Sequence, residues 1–441
     1  MGSLSGHGSA AEDLHKLENS QTTVAQSDRA SAADLVARAA ALRPTLRADQ
    51  AEAEKRGTYS EAVHQEFLDA GFYKILVPRM FGGLECDLTT YYEVMVEVSR
   101  GDPGVGWCLT LGSSHALMAG SHFEESAQRA FFRDAYFCAP HTNAGRGVLT
   151  RVDGGWSIDG RWAYSSGIPY STWFFGLAFI SAEDGEEPGK TRHVAIPREK
   201  IEVLDDWGGD RVLGMGASGS NGVVAKDVLL ESEFVVDTIW HERFDPEAPT
   251  PGVTLHGNPM YLGRGHAVYH TSIAAVQVGT ALAALDEYEE QLLTRKSPIP
   301  PGDPRIASAH MRSLFGQASV LVDSAYALLR TVTDRYGAYA AEWMAGGEPF
   351  DLARSVSLFA LAQQAGAMAS EAVELMFRSA GTSAAAADSL LNRYFRDTAM
   401  YRGHQSSQRE TYWDRFATVQ LGLGDSLLSP DGPRRMPDAR V

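Results

Sequence analysis

Ser166, His404 and His115 are the side chains of this chain best suited to hydrogen-bond and proton chemistry, and they lie far apart in sequence. A serine hydroxyl donates and accepts, so Ser166, in the run Ser165-Ser166-Gly167, can hold a polar ligand atom in either protonation state. The same run also reads as an ordinary β-turn. His404 carries an imidazole, which titrates near neutral pH and can give or take a proton; it reads equally as a cap at a helix end. His115 follows Trp107 and Leu111 at i+8 and i+4, on one helical face. A histidine there is either turned to a ligand or satisfied within the core. Ser218-Gly219-Ser220-Asn221 is a small polar turn whose backbone N–H groups can meet an anion or close a hairpin.

These residues need elements to bring them together, and the hydrophobic pattern changes twice along the chain. Residues 1–30 are rich in Ser, Gly, Ala and polar residues and read as a mobile arm. Residues 31–135 read as helical, with apolar residues at helical spacing at Leu35, Ala39, Leu42 and Leu46, and Pro44 predicting a kink or division. Asp102-Pro103 is a helix start, Asp as N-cap and Pro at the first helical position. Residues 136–245 alternate β-branched and aromatic runs with Gly, Asp and Pro turns, the punctuation of an antiparallel β domain. Residues 246–441 return to the helical period. Stripes at about 266–293, 304–336, 351–379 and 389–412 predict a four-helix bundle. The expected class is therefore α+β, mostly α.

Bulk properties exclude several functions. The 441 residues allow a large core. No apolar run approaches the roughly 18 to 20 residues of a membrane span, and the N-terminus lacks a secretory pattern. A net charge of −17 argues against nucleic acid, and the whole fits a cytoplasmic enzyme. Cys86, Cys108 and Cys138 have no metal-ligand spacing. No Gly-x-Gly-x-x-Gly opens a βαβ unit, and no P-loop, zincin helix or Gly-x-Ser-x-Gly elbow is present.

Several segments carry a family likeness in order: Leu76-Val-Pro78-Arg-Met-Phe-Gly-Gly83, Asp102-Pro-Gly-Val-Gly-Trp107, Asp153-Gly-Gly-Trp156-Ser-Ile-Asp-Gly160-Arg-Trp162, Ser165-Ser166-Gly167, Leu213-Gly-Met-Gly-Ala-Ser218-Gly-Ser220-Asn221 and His256-Gly-Asn-Pro259-Met-Tyr261. Arg393-Tyr-Phe-Arg396-Asp397 then runs into Tyr401-Arg402-Gly403-His404-Gln405. From about residue 31 to 420 the chain resembles the acyl-CoA dehydrogenase superfamily, and within it the two-component flavin-dependent monooxygenases that include 4-hydroxyphenylacetate hydroxylase oxygenase components. The resemblance implies an N-terminal helical domain, a central β domain and a C-terminal four-helix bundle. It also shows a departure. The dehydrogenases carry a catalytic carboxylate after the Arg-Asp pair; its place here falls at Gln405 counted without gaps, or at Arg402 matched by appearance. Neither can abstract an α-proton as a carboxylate does.

What the resemblance implies about the site follows residue by residue. Tyr164 takes the place of a flavin-stacking tryptophan, and Ser166 that of the threonine near flavin N5, with Ser165 beside it. Thr142 and Asn143 fall in the loop lining the flavin, although Pro140-His141-Thr142-Asn143-Ala-Gly145 lacks the usual proline before the glycine. Ser218, Ser220 and Arg396 fall near the cofactor. Arg393 and Arg396 can pair a flavin phosphate, that of a neighbouring subunit included; the alternative is that Arg396-Asp397 is only an intrahelical and intersubunit salt bridge. His404 lies near the reactive face, and His115, with Trp107, Asn143 and His404, at the substrate. The implied function is the oxygenase component of a two-component monooxygenase. It would use reduced FMN or FAD from a separate NAD(P)H:flavin reductase, and O2, to hydroxylate a small aromatic, a phenol, through a C4a-hydroperoxyflavin. A homotetramer is implied as well. The competing readings are an N-oxygenase of an amine or amino sugar, a dehydrogenase with a relocated base, and a non-catalytic binding protein.

Overall fold

The computed structural model describes residues 10–181, 190–237, 247–298 and 300–423. Helix α1 (Ala10–Arg56) opens it. It starts inside the stretch expected to be a mobile arm, so that expectation gives way to helix from Ala10; residues 1–9 lie outside the described residues. The stretch is rich in alanine and holds neither Gly nor Pro before Pro44, so nothing local opposes a helix. Pro44 sits inside α1 without ending it. Burial of Leu35, Ala39, Leu46 and Ala53 on either side offsets the lost backbone bond. Helices α2 (Glu61–Ala70), α3 (Leu88–Gly101), α4 (Pro103–Ser113), α5 (Ala116–His122) and α6 (Glu125–Phe131) follow. Helix α4 begins as expected: Asp102 Oδ1 accepts from the N–H groups of Gly104 at 2.8 Å and Val105 at 3.1 Å. It ends earlier than expected, leaving His115 in the joint before α5.

The central strands are β1 (His141–Val152), β2 (Gly155–Ser165), β3 (Trp173–Ile180), β4 (Thr191–Pro197), β5 (Glu202–Val203), β6 (Asn221–Glu231) and β7 (Val235–Asp237). Among the described residues they form one sheet, ordered β5-β6-β2-β1-β3-β4-β7. The antiparallel expectation holds except at one pair, β1 and β3, which run parallel. Strand β2 leaves β1 as a hairpin on one side, and β3 then returns along the other side. One face of the sheet carries its own apolar core (Trp162, Phe174, Ile158, Val194, Ile196, Val223), while Trp173, Phe175 and Ala195 on the other face join the helical core. Strand β2 ends at Ser165, and β6 begins at Asn221 opposite it, so the Ser166 and Ser220 turns emerge side by side.

The C-terminal part holds α7 (Pro251–His256), α8 (Gly265–Thr294), α9 (Ala309–Met344), α10 (Leu352–Ser379), α11 (Leu390–Gly403) and α12 (Arg409–Gln420). Helix α10 packs on α8, α9, α11 and α12. Contrary to the sequence reading, α8 is apolar and long enough to cross a membrane from Val268 to Thr294, but 83% of its most apolar window is buried within the fold. It is the central core helix, carrying Ile273, Val276, Val278 and Ala281. The fourth stripe is two helices, not one. After Gly403 the backbone of His404 turns extended (φ −70°, ψ 140°), and a 3-10 turn over Gln405–Ser407 precedes α12. His404 thereby leaves the helix and enters a loop facing α4.

Candidate active site

Trp107 is the piece that joins the residues singled out from sequence. Its indole Nε1, which can only donate, gives a hydrogen bond to Ser166 Oγ at 2.9 Å. Its ring meets that of His404 edge-on, centroids 5.3 Å apart and planes at 75°. Ser166 Oγ lies 2.6 Å from Ser220 Oγ, which lies 2.6 Å from Ser218 Oγ. The three serines therefore form one hydroxyl chain, with Ser166 at its open end. Gly219, at φ +56°, lets the turn close; a Cβ there would meet Pro169 Cδ at 2.7 Å. Beneath this constellation an apolar cluster of Trp107, Met215, Ile273, Val276 and Tyr401 is completed by Leu111 and Met400. It gathers α4, α8, α11 and the loop before β6 around one point.

His404 follows α11 and lies against Trp107. Its Nδ1 accepts from the Ser406 N–H at 3.1 Å, so a neutral ring carries its proton on Nε2. Burial pushes its pKa down to about 4. At neutral pH it is therefore a hydrogen-bond donor through Nε2, not the half-protonated acid–base group expected from an unperturbed histidine. The loop is held from behind, where Gln363 Nε2 donates to the Ser406 carbonyl and Ser407 Oγ donates to Tyr401 O at 2.6 Å.

His115 is buried, and its Nδ1 is 2.8 Å from Leu111 O. A carbonyl only accepts, so Nδ1 carries the proton and Nε2 is an acceptor. Burial lowers its pKa to about 4, the Leu111 and Ala139 carbonyls partly opposing. The ring stacks on Tyr269 (5.0 Å) and tilts towards His141 (5.5 Å), whose Nε2 is 3.0 Å from His193 Nδ1. Sequence reading missed Tyr269, His141 and His193. His141 stood in a quoted run, but nothing local marks its partner on β4.

The remaining expected residues fall in three places. Tyr164, one residue before the end of β2, has 61% of its surface exposed and is edge-on to Trp207 at 4.9 Å. Ser165 is buried, and its hydroxyl has no partner among the described residues. Thr142 is buried on β1 opposite Gly176, and Asn143 is exposed. Arg396 donates to Glu54 Oε1 and to Leu213 O, both at 2.7 Å. Arg393 reaches Asp102 at 3.0 Å and stands 3.8 Å from Asp397, whose carboxylate accepts from the Met215 N–H. Both arginines pair with carboxylates within the fold, Arg396 with Glu54 of α1 and Arg393 with Asp102 and Asp397, so the Arg396–Asp397 pair read from sequence is not the one formed. Burial raises the Asp397 pKa to about 6 despite the neighbouring Arg393.

Two family models match: "Acyl-CoA dehydrogenase, N-terminal domain" over residues 28–132 and "Acyl-CoA dehydrogenase, C-terminal domain" over residues 271–409, together more than half of the chain. The chain belongs to the acyl-CoA dehydrogenase family. Within that family it is 26% identical over 385 residues to the flavin-dependent monooxygenase, oxygenase subunit HsaA, of Rhodococcus jostii, spanning 87% of this chain and 97% of the relative. It is 28% identical over 405 residues to a pigment production hydroxylase of a Rhodococcus species, spanning 90% and 98%. Its fold matches XiaF from a Streptomyces species, solved in complex with FADH2 and glycerol. The TM-score is 0.80 at 21% identity, covering 93% and 99% of the two chains. As an acyl-CoA dehydrogenase family member, the chain lacks a carboxylate at both positions where its base was sought. Gln405 is exposed, and Arg402 pairs with Glu374 on α10.

Proposed function

We propose that the chain is the oxygenase component of a two-component flavin-dependent monooxygenase, hydroxylating a small phenolic aromatic with the C4a-hydroperoxide of a reduced flavin as oxygen donor. The observation that carries the reading is the Ser166–Trp107–His404 bridge at a place where the family's dehydrogenases keep a base. Asp102 at the start of α4, Asp397 on α11 and Glu54 on α1 are committed to Arg393 and Arg396. The two relatives named as a monooxygenase subunit and a hydroxylase support it.

The residues present fit a flavin. Tyr164 offers an exposed aromatic face at the end of β2, the buried Ser165 hydroxyl lacks a partner, and Ser166 presents a polarised hydroxyl next to both. Reduced FMN or FAD, when bound, would give two electrons to O2, one atom of which goes to the substrate and the other to water; the protein contributes binding, orientation and dryness. Ser166 holds the ring near N5, its own geometry fixed by Trp107 and Ser220. His404 donates a hydrogen bond from Nε2 into the cleft. His115 accepts one through Nε2 at the far end of α4 and so orients a ring hydroxyl. The apolar cluster under Trp107 keeps water out. A separate NAD(P)H:flavin reductase would supply the reduced flavin, and a homotetramer joined through the C-terminal helices is part of the proposal.

Mixing the protein with reduced FMN, oxygen and a phenol should yield a product heavier by one oxygen atom, identified by mass spectrometry. Ser166→Ala should lower that yield at least about tenfold, the weight of a lost hydrogen bond to a charged or polarised group, with more hydrogen peroxide released. Reduction of an electron-acceptor dye by an acyl-CoA under anaerobic conditions would overturn the reading in favour of a relocated base.

A further inference from the structure

We propose that this site takes an uncharged hydroxylated aromatic, bound as the neutral phenol, and rejects rings whose side chain bears a carboxylate or an alkylammonium group; the proposal rests on the oxygenase reading above. The wall beside Ser166 follows one face of the α4 region from Trp107 to His115, about 12 Å at 1.5 Å per residue. Along it Leu111, with Tyr269 of α8, His141 of β1, Met400 of α11 and His404, keeps partial exposure among otherwise closed neighbours. These are the side chains that a ligand next to Ser166 would meet.

Charged groups close in sequence or space point elsewhere. Arg402 pairs with Glu374, and Arg264 is buried against Phe350, donating to its carbonyl at 3.2 Å. Behind Trp107, two guanidiniums (Arg393 and Arg396) face three carboxylates (Glu54, Asp102 and Asp397), so no positive charge is left over there, and each carboxylate is already held by a guanidinium rather than turned to a ligand's ammonium. Among the described side chains these pairings leave the wall without a formal charge, since its histidines are neutral. A carboxylate or ammonium carried in would be desolvated with no counter-ion, which is strongly unfavourable. A phenol meets matched partners instead. His115 Nε2 can accept its hydroxyl proton, and His404 Nε2–H can donate to an oxygen at the Trp107 end.

Isothermal titration of the flavin-free protein near neutral pH with three ring-matched probes tests this: 4-ethylphenol, 4-hydroxyphenylacetate and tyramine. We expect 4-ethylphenol to bind at least about tenfold more tightly than either charged probe. Equal or tighter binding of the acetate or the amine, or no measurable binding of 4-ethylphenol, overturns the proposal. Leu111→Arg should shift the preference towards 4-hydroxyphenylacetate by about tenfold, and an unshifted preference in a folded variant counts against the wall assigned here. Should that variant not fold, the comparison in the parent protein still decides. Oxygenation is scored separately: bound 4-ethylphenol that is never oxygenated with reduced FMN and oxygen contradicts the oxygenase reading while the charge preference stands.

Discussion

Trp107 is worth more than its burial because its N–H occupies one of the two lone-pair directions of Ser166 and so limits how that hydroxyl can turn. Trp107→Phe keeps an aromatic edge against His404 and removes only the donor. We expect it to weaken flavin binding by about 0.5–1.5 kcal/mol, the net value of one neutral hydrogen bond. In a double-mutant cycle with Ser166→Ala, most of that loss should vanish, because the two substitutions remove the same interaction. Strict additivity in equilibrium flavin titrations would deny the bridge. His404 gives a second residue-scale outcome. With its pKa near 4, oxygenation should show no break attributable to this histidine around pH 6.5, where an unburied imidazole titrates. A pH–rate profile that breaks there in the parent, and loses the break in His404→Gln, would contradict the buried neutral ring.

Helix α11 is the element on which the site depends, since Arg393 and Asp397 tie it to α4 and to the loop at Met215. Arg393→Met removes the cation and leaves Asp102 and Asp397 buried without it, which should cost about 3–5 kcal/mol. Urea denaturation checks this, and a loss below about 1 kcal/mol would mean that the carboxylates had found other partners. How much of this was legible in the sequence depended on range. The Asp102-Pro103 start of α4 is a local capping arrangement and could be read directly. The same Asp102 also receives Arg393 from 291 residues away, which no local pattern announces. The break after Gly403 was hidden because apolar spacing continues into α12 while the backbone does not. What ends the helix is His404 turning its Nδ1 back to cap the next turn. The parallel β1–β3 pair escaped for a related reason, since strand patterns record faces, whereas pairing direction depends on the route between strands. Ser166, His404 and Trp107 could each be picked out, but only the packing of α4 against α11 and the turns after β2 and before β6 makes them neighbours.

At the scale of the whole molecule, the buried histidines make folding sensitive to acid. His115, His122 and His404 are each pushed down to about 4 by burial, against about 6.5 when exposed. Between those values the unfolded chain binds protons that the folded chain does not, so stability falls as pH drops through that window. Asp397 acts in the opposite sense, because its pKa is raised to about 6; the folded state takes up that proton more readily as pH falls. Relief of repulsion among the surface charges behind the net −17 also favours the folded state on acidification, but salt screens it. Burial also raises Asp102 and pushes His141 well down; the four histidines outweigh the two carboxylates, so in moderate salt the melting temperature should fall steadily from pH 6.5 towards pH 4. The fully buried His115 alone would contribute about 3 kcal/mol by the lower limit. Replacing it by Gln, which keeps a donor for Leu111 O without a titrating group, should flatten the lower part of the curve. A parent protein that is equally stable at both ends of the window would show that these rings are reached by water and protonate in place, and a charge-free substrate wall could not then survive in acid.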